Sequence, residues 1–77
     1  MELNEFISNF TDQFDETDAN VIKADTLFKD LDEWSSMIAL SVIAMIDAEY
    51  DVQIKGTDIR DSKTVEDLFN KVKEIKG

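Results

Sequence analysis

Ser36-Met37-Ile38-Ala39-Leu40-Ser41-Val42-Ile43-Ala44-Met45-Ile46-Asp47-Ala48-Glu49-Tyr50 is the stretch whose reading decides the fold. Ala39, Val42, Ile43, Ile46 and Tyr50 fall at i, i+3, i+4, i+7 and i+11, the spacing that lines one face of an α-helix. That face is expected to enter the core. Met37, Ile38, Ser41, Ala44, Met45 and Ala48 fall on the other side, with Leu40 and Asp47 at one margin and Glu49 at the other. A surface helix carries polar residues there. Met37, Ile38 and Met45 are large and apolar, so an outward apolar face is expected beside the helix start.

Outward from this helix the chain stays helical in pattern. Leu3, Ile7, Phe10 and Phe14, with Phe6 beside them, predict a first helix over residues 2–14, with Glu2 and Glu5 suited to its N-terminal dipole. Residues 15–35 are acidic, with Val21, Ile22, Leu27, Phe28 and Leu31 as apolar islands. A connection of that length carrying its own apolar residues reads as a packed loop. Val52 and Ile54 alternate, but a lone strand has no partner, so they read as loop residues plugging the core. Thr57–Asp61 reads as a short helical turn with Ile59 inward. A last helix starts at the N-cap Thr64, has Glu66 and Asp67 in its first turn, and carries the stripe Val65, Leu68, Phe69, Val72 and Ile75. The expected fold is all-α: one domain over residues 1–77, a small antiparallel bundle of three main helices and one short helix with a long first loop.

Composition excludes several classes of function. With 18 acidic and 8 basic residues the formal charge is −10, which disfavours nucleic acid and anionic membrane surfaces. The chain has no Cys and no His, so it lacks a thiol nucleophile, the commonest general base and the usual zinc ligands. Asp30, Asp32 and Glu33 cluster, but no apolar pocket is evident to raise one of them as a general acid. A calcium loop beginning at Asp15 fails, since Ala19, Asn20 and Thr26 occupy its ligand and glycine positions. An enzyme is the least favoured class, and no metal is expected. No segment reaches the roughly 18 apolar residues of a membrane span, and the N-terminus lacks a signal-peptide pattern, so the cytoplasm is the expected compartment.

What remains is Ser35-Ser36 at the start of the central helix. A serine there commonly caps the helix. The same place also suits a phosphodiester, because free N–H groups and the helix dipole stabilise it.

The residues around this pair resemble those of the acyl carrier protein family. Asp30-Leu31-Asp32-Glu33-Trp34-Ser35-Ser36-Met37 is similar to the family's Asp-Ser-Leu motif at the start of its second helix. Tyr50 matches the aromatic residue fourteen positions after the modified serine, and Asp51 and Ile54 match the acid and the Ile that follow it. Thr64-Val65-Glu66-Asp67-Leu68 resembles the family's start of the last helix, and no gap is needed between Ser36 and Leu68.

The resemblance implies that Ser36, followed by the large apolar Met37, carries a phosphopantetheine arm derived from coenzyme A, and that Ser35 stands where an acid is usual. It implies a carrier of acyl thioesters for fatty-acid or polyketide-type biosynthesis, acting as a monomer with a phosphopantetheinyl transferase and with acyltransferase, ligase or synthase enzymes. The docking residues would be Met37, Ile38, Ser41 and Met45, with charge from Glu33 and Asp47. Ile43, Ile46, Tyr50, Ile54, Ile59 and Leu68 would line an acyl cavity if they do not simply pack the core. Ile38 and Ser41 stand where bacterial fatty-acid carriers have acids, which points to a dedicated pathway. A peptidyl, aminoacyl or D-alanyl carrier shares the motif, and an unmodified acidic helical adaptor is the alternative from another class. Trp34 either shields the base of the arm, touches a partner, or packs over the long loop.

The charge is uneven. Residues 1–51 hold 13 acids and 2 bases, residues 52–77 hold 5 acids and 6 bases. A chain this short gains roughly 3–5 kcal/mol from its core, so self-repulsion weighs heavily. Screening it is predicted to raise the thermal midpoint between low and moderate NaCl at neutral pH. A flat or falling midpoint contradicts this.

Overall fold

The computed structural model describes the chain from Met1 to Gly77 as four α-helices and no strand. The Leu3/Phe6/Ile7/Phe10 stripe forms α1 (Leu3–Thr11). It is shorter than the 2–14 expected. After Thr11 the backbone tightens into i→i+3 bonds, Gln13 N–H to the Phe10 carbonyl and Phe14 N–H to that of Thr11. Phe14 still reaches the core from this tightened turn. The central stretch forms α2 (Ser36–Tyr50). It stops at Asp51, whose φ of 56° is left-handed and ends the helical path. Asp tolerates that region better than most residues with a Cβ.

Val52 and Ile54 then fold inward as plugs, and α3 (Gly56–Asp61) turns Ile59 into the core. The last helix, α4 (Val65–Lys76), opens on a capping box: Thr64 Oγ1 accepts from Asp67 N–H while Asp67 accepts from Thr64 N–H. The Thr64 N–H, and after it the Lys63 N–H, donate to the Asp67 carboxylate and hold it below its ordinary range.

The core sets the helix directions. Phe6 meets Tyr50, at the end of α2, with ring centroids 5.8 Å apart. Phe10 and Phe14 meet Trp34, just before α2 begins, at 6.4 and 6.2 Å. The two helices therefore run in opposite directions. Phe6 also packs edge-on to Phe69 of α4 at 5.5 Å. Lys76 Nζ donates to the Tyr50 carbonyl at 2.8 Å, so α2 and α4 share their C-terminal end and run in the same sense. That bond places a cation on an orphan carbonyl of α2, where the helix dipole favours it.

The long connection from Asp12 to Ser35 is packed through Ile22, Phe28 and Leu31, while Val21 and Leu27 are exposed; it carries two short 3-10 turns, Ala19–Val21 and Phe28–Asp30. Its carbonyls at Thr26 and Ala24 accept from Val65 and Glu66 N–H, so it supplies partners for the first turn of α4. Lys29 Nζ donates to the Arg60 carbonyl at 2.7 Å and ties the loop to α3. Phe28 and Ile22 are buried. No helix is long and apolar enough to cross a membrane.

The buried arc of α2 differs from the one its spacing predicts. Val42, Ile46 and Tyr50 are buried as expected, but Met45 joins them at 7 % exposure, and Ile38 packs against the core. Ala39 and Ile43 are half-buried, at the margin. Apolarity is spread almost evenly around this helix, so its own pattern does not select a face, and the neighbouring elements do. Leu40, expected at a margin, is instead exposed at 66 %, beside Met37 at 77 %.

This division predicts unequal costs. Ile46→Val is expected to lose about 0.5–1.5 kcal/mol in denaturant unfolding. Leu40→Gln is expected to change stability by less than about 0.5 kcal/mol. A larger loss at Leu40 than at Ile46 would reverse the assignment of faces.

Candidate functional site

The chain approaches α2 through three consecutive anchored residues. Glu33 is half-buried, and its carboxylate accepts four hydrogen bonds from residues 15–17: Asp15 N–H at 2.7 Å on Oε2, and Glu16 N–H at 3.0 Å, Thr17 N–H at 2.8 Å and the Thr17 hydroxyl at 2.7 Å on Oε1. Trp34 follows. Its ring lies 5.0 Å from that of Phe28, edge-on, and also packs on Phe10 and Phe14. Ser35 comes next, as the N-cap: its backbone is extended and its hydroxyl accepts from Ile38 N–H at 3.3 Å.

Ser36 is the first helical residue. Its side chain is exposed and makes no hydrogen bond within the chain. The two serines thus divide the tasks by geometry. Ser35 stabilises the helix start, and Ser36 leaves its hydroxyl available. The Ser36 and Met37 N–H groups also have no partner in the protein, whereas the first three N–H groups of α4 are all bonded. Two donors and a helix dipole therefore converge where an exposed hydroxyl sits. An anionic ester on Ser36 fits this end of the helix.

The surface beside Ser36 is made by Met37, Leu40, Ala44, Asp47 and Ala48, all exposed, with Ser41 half-buried. Met37, Ser41 and Asp47 lie there as the sequence suggests. Three other expected docking residues do not. Met45 is in the core, Ile38 is half-buried against it, and both Glu33 oxygens are engaged by the 15–17 turn. Leu40 was missed because the helical spacing, centred on Ile43, puts it at a margin.

Of the two readings of the six residues offered as acyl-cavity lining, the structure shows core packing. Ile46 and Leu68 are fully buried, Tyr50, Ile54 and Ile59 nearly so, and Ile43 half-buried. The rings of Phe6, Tyr50 and Phe69 fill the space between α1, α2 and α4. Tyr50 is fixed further by its hydroxyl, which accepts from Asn9 Nδ2 at 2.9 Å. Burial pushes that hydroxyl above its ordinary value, against the Asn9 bond, so it stays protonated. The two surface depressions lie elsewhere. One runs between α1 and the loop, beside Leu3, Ile7 and Ile22, and the other is at the end of α4, beside Lys73 and Lys76. No three acidic side chains are gathered closely enough to hold a metal ion.

The fold and this site define a small acidic helical bundle with one unengaged hydroxyl at the mouth of its central helix. Comparison with known protein families, with curated proteins and with solved structures finds no match to the chain.

The division between the serines is measurable. Ser35→Ala is expected to cost about 1 kcal/mol through loss of the cap. Ser36→Ala is expected to stay within about 0.5 kcal/mol of wild type. Equal losses would mean that both hydroxyls serve the helix.

Proposed function

We propose that the chain is a phosphopantetheine-dependent carrier protein and that Ser36 is its attachment site. The observation that carries this reading is the Ser36 hydroxyl: exposed, released from capping by Ser35, and set at a helix N-terminus with unpaired N–H groups. The motif around Ser36, with Tyr50 and Asp51 fourteen and fifteen positions on, supports it from the sequence side.

The modification would be supplied by a phosphopantetheinyl transferase. Ser36 Oγ attacks the pantetheine phosphorus of coenzyme A, a phosphate ester bond forms, the pyrophosphate bond breaks, and adenosine bisphosphate leaves. The hydroxyl proton passes to the transferase. Once attached, the arm supplies the thiol that this cysteine-free chain lacks, so that a group is held as a thioester at high effective concentration near each partner enzyme. The chain's own residues orient and present. Ser35 and Trp34 fix the start of α2, the unpartnered Ser36 and Met37 N–H groups would hold the ester, and the exposed Met37 and Leu40 would give partner enzymes an apolar foothold beside it.

Fatty-acid or polyketide-type acyl groups are the proposed cargo. A dedicated pathway is favoured, because Ser41 and the apolar Met37 and Leu40 occupy the face that partners would read. The same exposed pair also supports a second reading, an unmodified acidic adaptor that binds a partner through this face, with a cytoplasmic location in either case.

Incubation with coenzyme A and a broad-specificity phosphopantetheinyl transferase is expected to add the mass of one phosphopantetheine to wild type and none to Ser36→Ala. An unmodified wild type alongside a loaded control carrier would overturn the carrier reading in favour of the adaptor. Modification that persists in Ser36→Ala would move the site to another residue.

A further inference from the structure

We propose that Glu33 is a positioning residue for Ser36: its carboxylate, seated in the converging N–H groups of Asp15, Glu16 and Thr17, clamps that turn to the approach to α2 and so fixes how Ser36 is presented. Its link to modification rests on the carrier reading above. The clamp itself does not.

Three successive backbone N–H groups aimed at one point form an anion-binding concavity. Here the anion comes from the chain itself, sixteen to eighteen residues further on. The seat is notable for its surroundings. Asp12, Asp15, Glu16 and Asp18 on and beside the turn, and Asp30 and Asp32 on Glu33's own segment, are all acids. The carboxylate is held there by its four hydrogen bonds, against the cost of burial. The Thr17 hydroxyl contributes most to holding the carboxyl below its ordinary range, against burial, which pushes it up; the backbone N–H groups of Asp15, Glu16 and Thr17 add to the lowering.

Glu33, Trp34 and Ser35 pin three residues in a row, each by a different interaction, and Ser36 is the next. Without the Glu33 bonds, the turn and the segment before α2 are joined only through packing. The sign of the pH dependence follows. A carboxyl held low in the folded chain contributes above its ordinary value of 4.5, and the contribution is lost as pH falls through the lower folded value. The clamp is therefore closed at neutral pH.

Glutamine separates charge and shape from mere bulk. Its single carbonyl oxygen serves either the three bonds at Oε1 or the one from Asp15, while its NH2 opposes a donor at the other position. E33Q should loosen part of the turn and E33A all of it. The test has two readouts, neither of which needs a transferase. Amide hydrogen exchange by NMR at neutral pH is expected to speed up about tenfold or more at residues 15–17 in E33A and less in E33Q, with Val42, Ile46 and Val72 unchanged in both. The chain has no cysteine, so S36C takes a single nitroxide label. Its mobility is expected to rise in S36C/E33A, to rise less in S36C/E33Q, and to rise in S36C itself only below the ordinary Glu value. Unchanged exchange at residues 15–17 would overturn the clamp. Faster exchange with unchanged label mobility would leave a clamp that does not position Ser36 and would overturn the proposal. Slowed exchange at Val42 or Ile46 is not expected; if their exchange instead speeds up as much as that of the turn, Glu33 is a general stabiliser and the positioning role is wrong. Failure of wild type to accept phosphopantetheine would contradict the carrier reading and leave both of these readouts intact.

Discussion

The packing of Trp34 against Phe10, Phe14 and Phe28 is the contact on which the rest of the structure depends. It joins the end of α1, the middle of the long loop and the residue just before the paired serines, three places far apart in sequence. A domain of 77 residues has little core to spare. Aromatic rings bury the most area per residue, and edge-on or offset pairs add to that. The cluster continues through Phe6 to Tyr50 and Phe69, so a single run of rings extends from the start of α2 to its end. The acidic loop is tied to this run through Phe28, with Ile22 buried beside it.

The site follows from that arrangement. Trp34 is held by rings, Glu33 by the 15–17 turn and Ser35 by its own cap bond, so Ser36 emerges at a fixed point on the surface with its hydroxyl unused. Such an arrangement suits attachment of a tether far better than it suits acid–base chemistry. The neighbouring face is apolar at Met37 and Leu40 and acidic at Asp47, which favours partners that combine an apolar seat with positive charge. Between the helices, Ile46, Leu68 and the Phe6–Tyr50–Phe69 rings pack the core.

Much of this was legible in the residues. The helical spacings located α2 and α4, Thr64 announced the cap of α4, and Val52, Ile54 and Ile59 read correctly as core plugs. The failures share a cause. Where apolar residues surround a helix, as on α2, periodicity does not tell which arc is covered, so Met45, expected outward, is buried and Leu40, expected at a margin, is exposed. The end of α1 was missed because Phe14 keeps the helical period while sitting in a tightened turn. Glu33 read as surface charge because its four partners are backbone and hydroxyl groups from a distant turn, and no local pattern announces a long-range bond of that kind. Ser35 and Ser36 could be separated by a resemblance alone, whereas the cap geometry separates them by physics.

The central claim is that Ser36 bears a prosthetic tether in the living cell. Tandem mass spectrometry of the chain isolated from its own cells tests it most directly. The account predicts a peptide in which Ser36, and not Ser35, carries phosphopantetheine. A Ser36 that is bare in every growth condition sampled, from cells whose other carriers are modified, would contradict it.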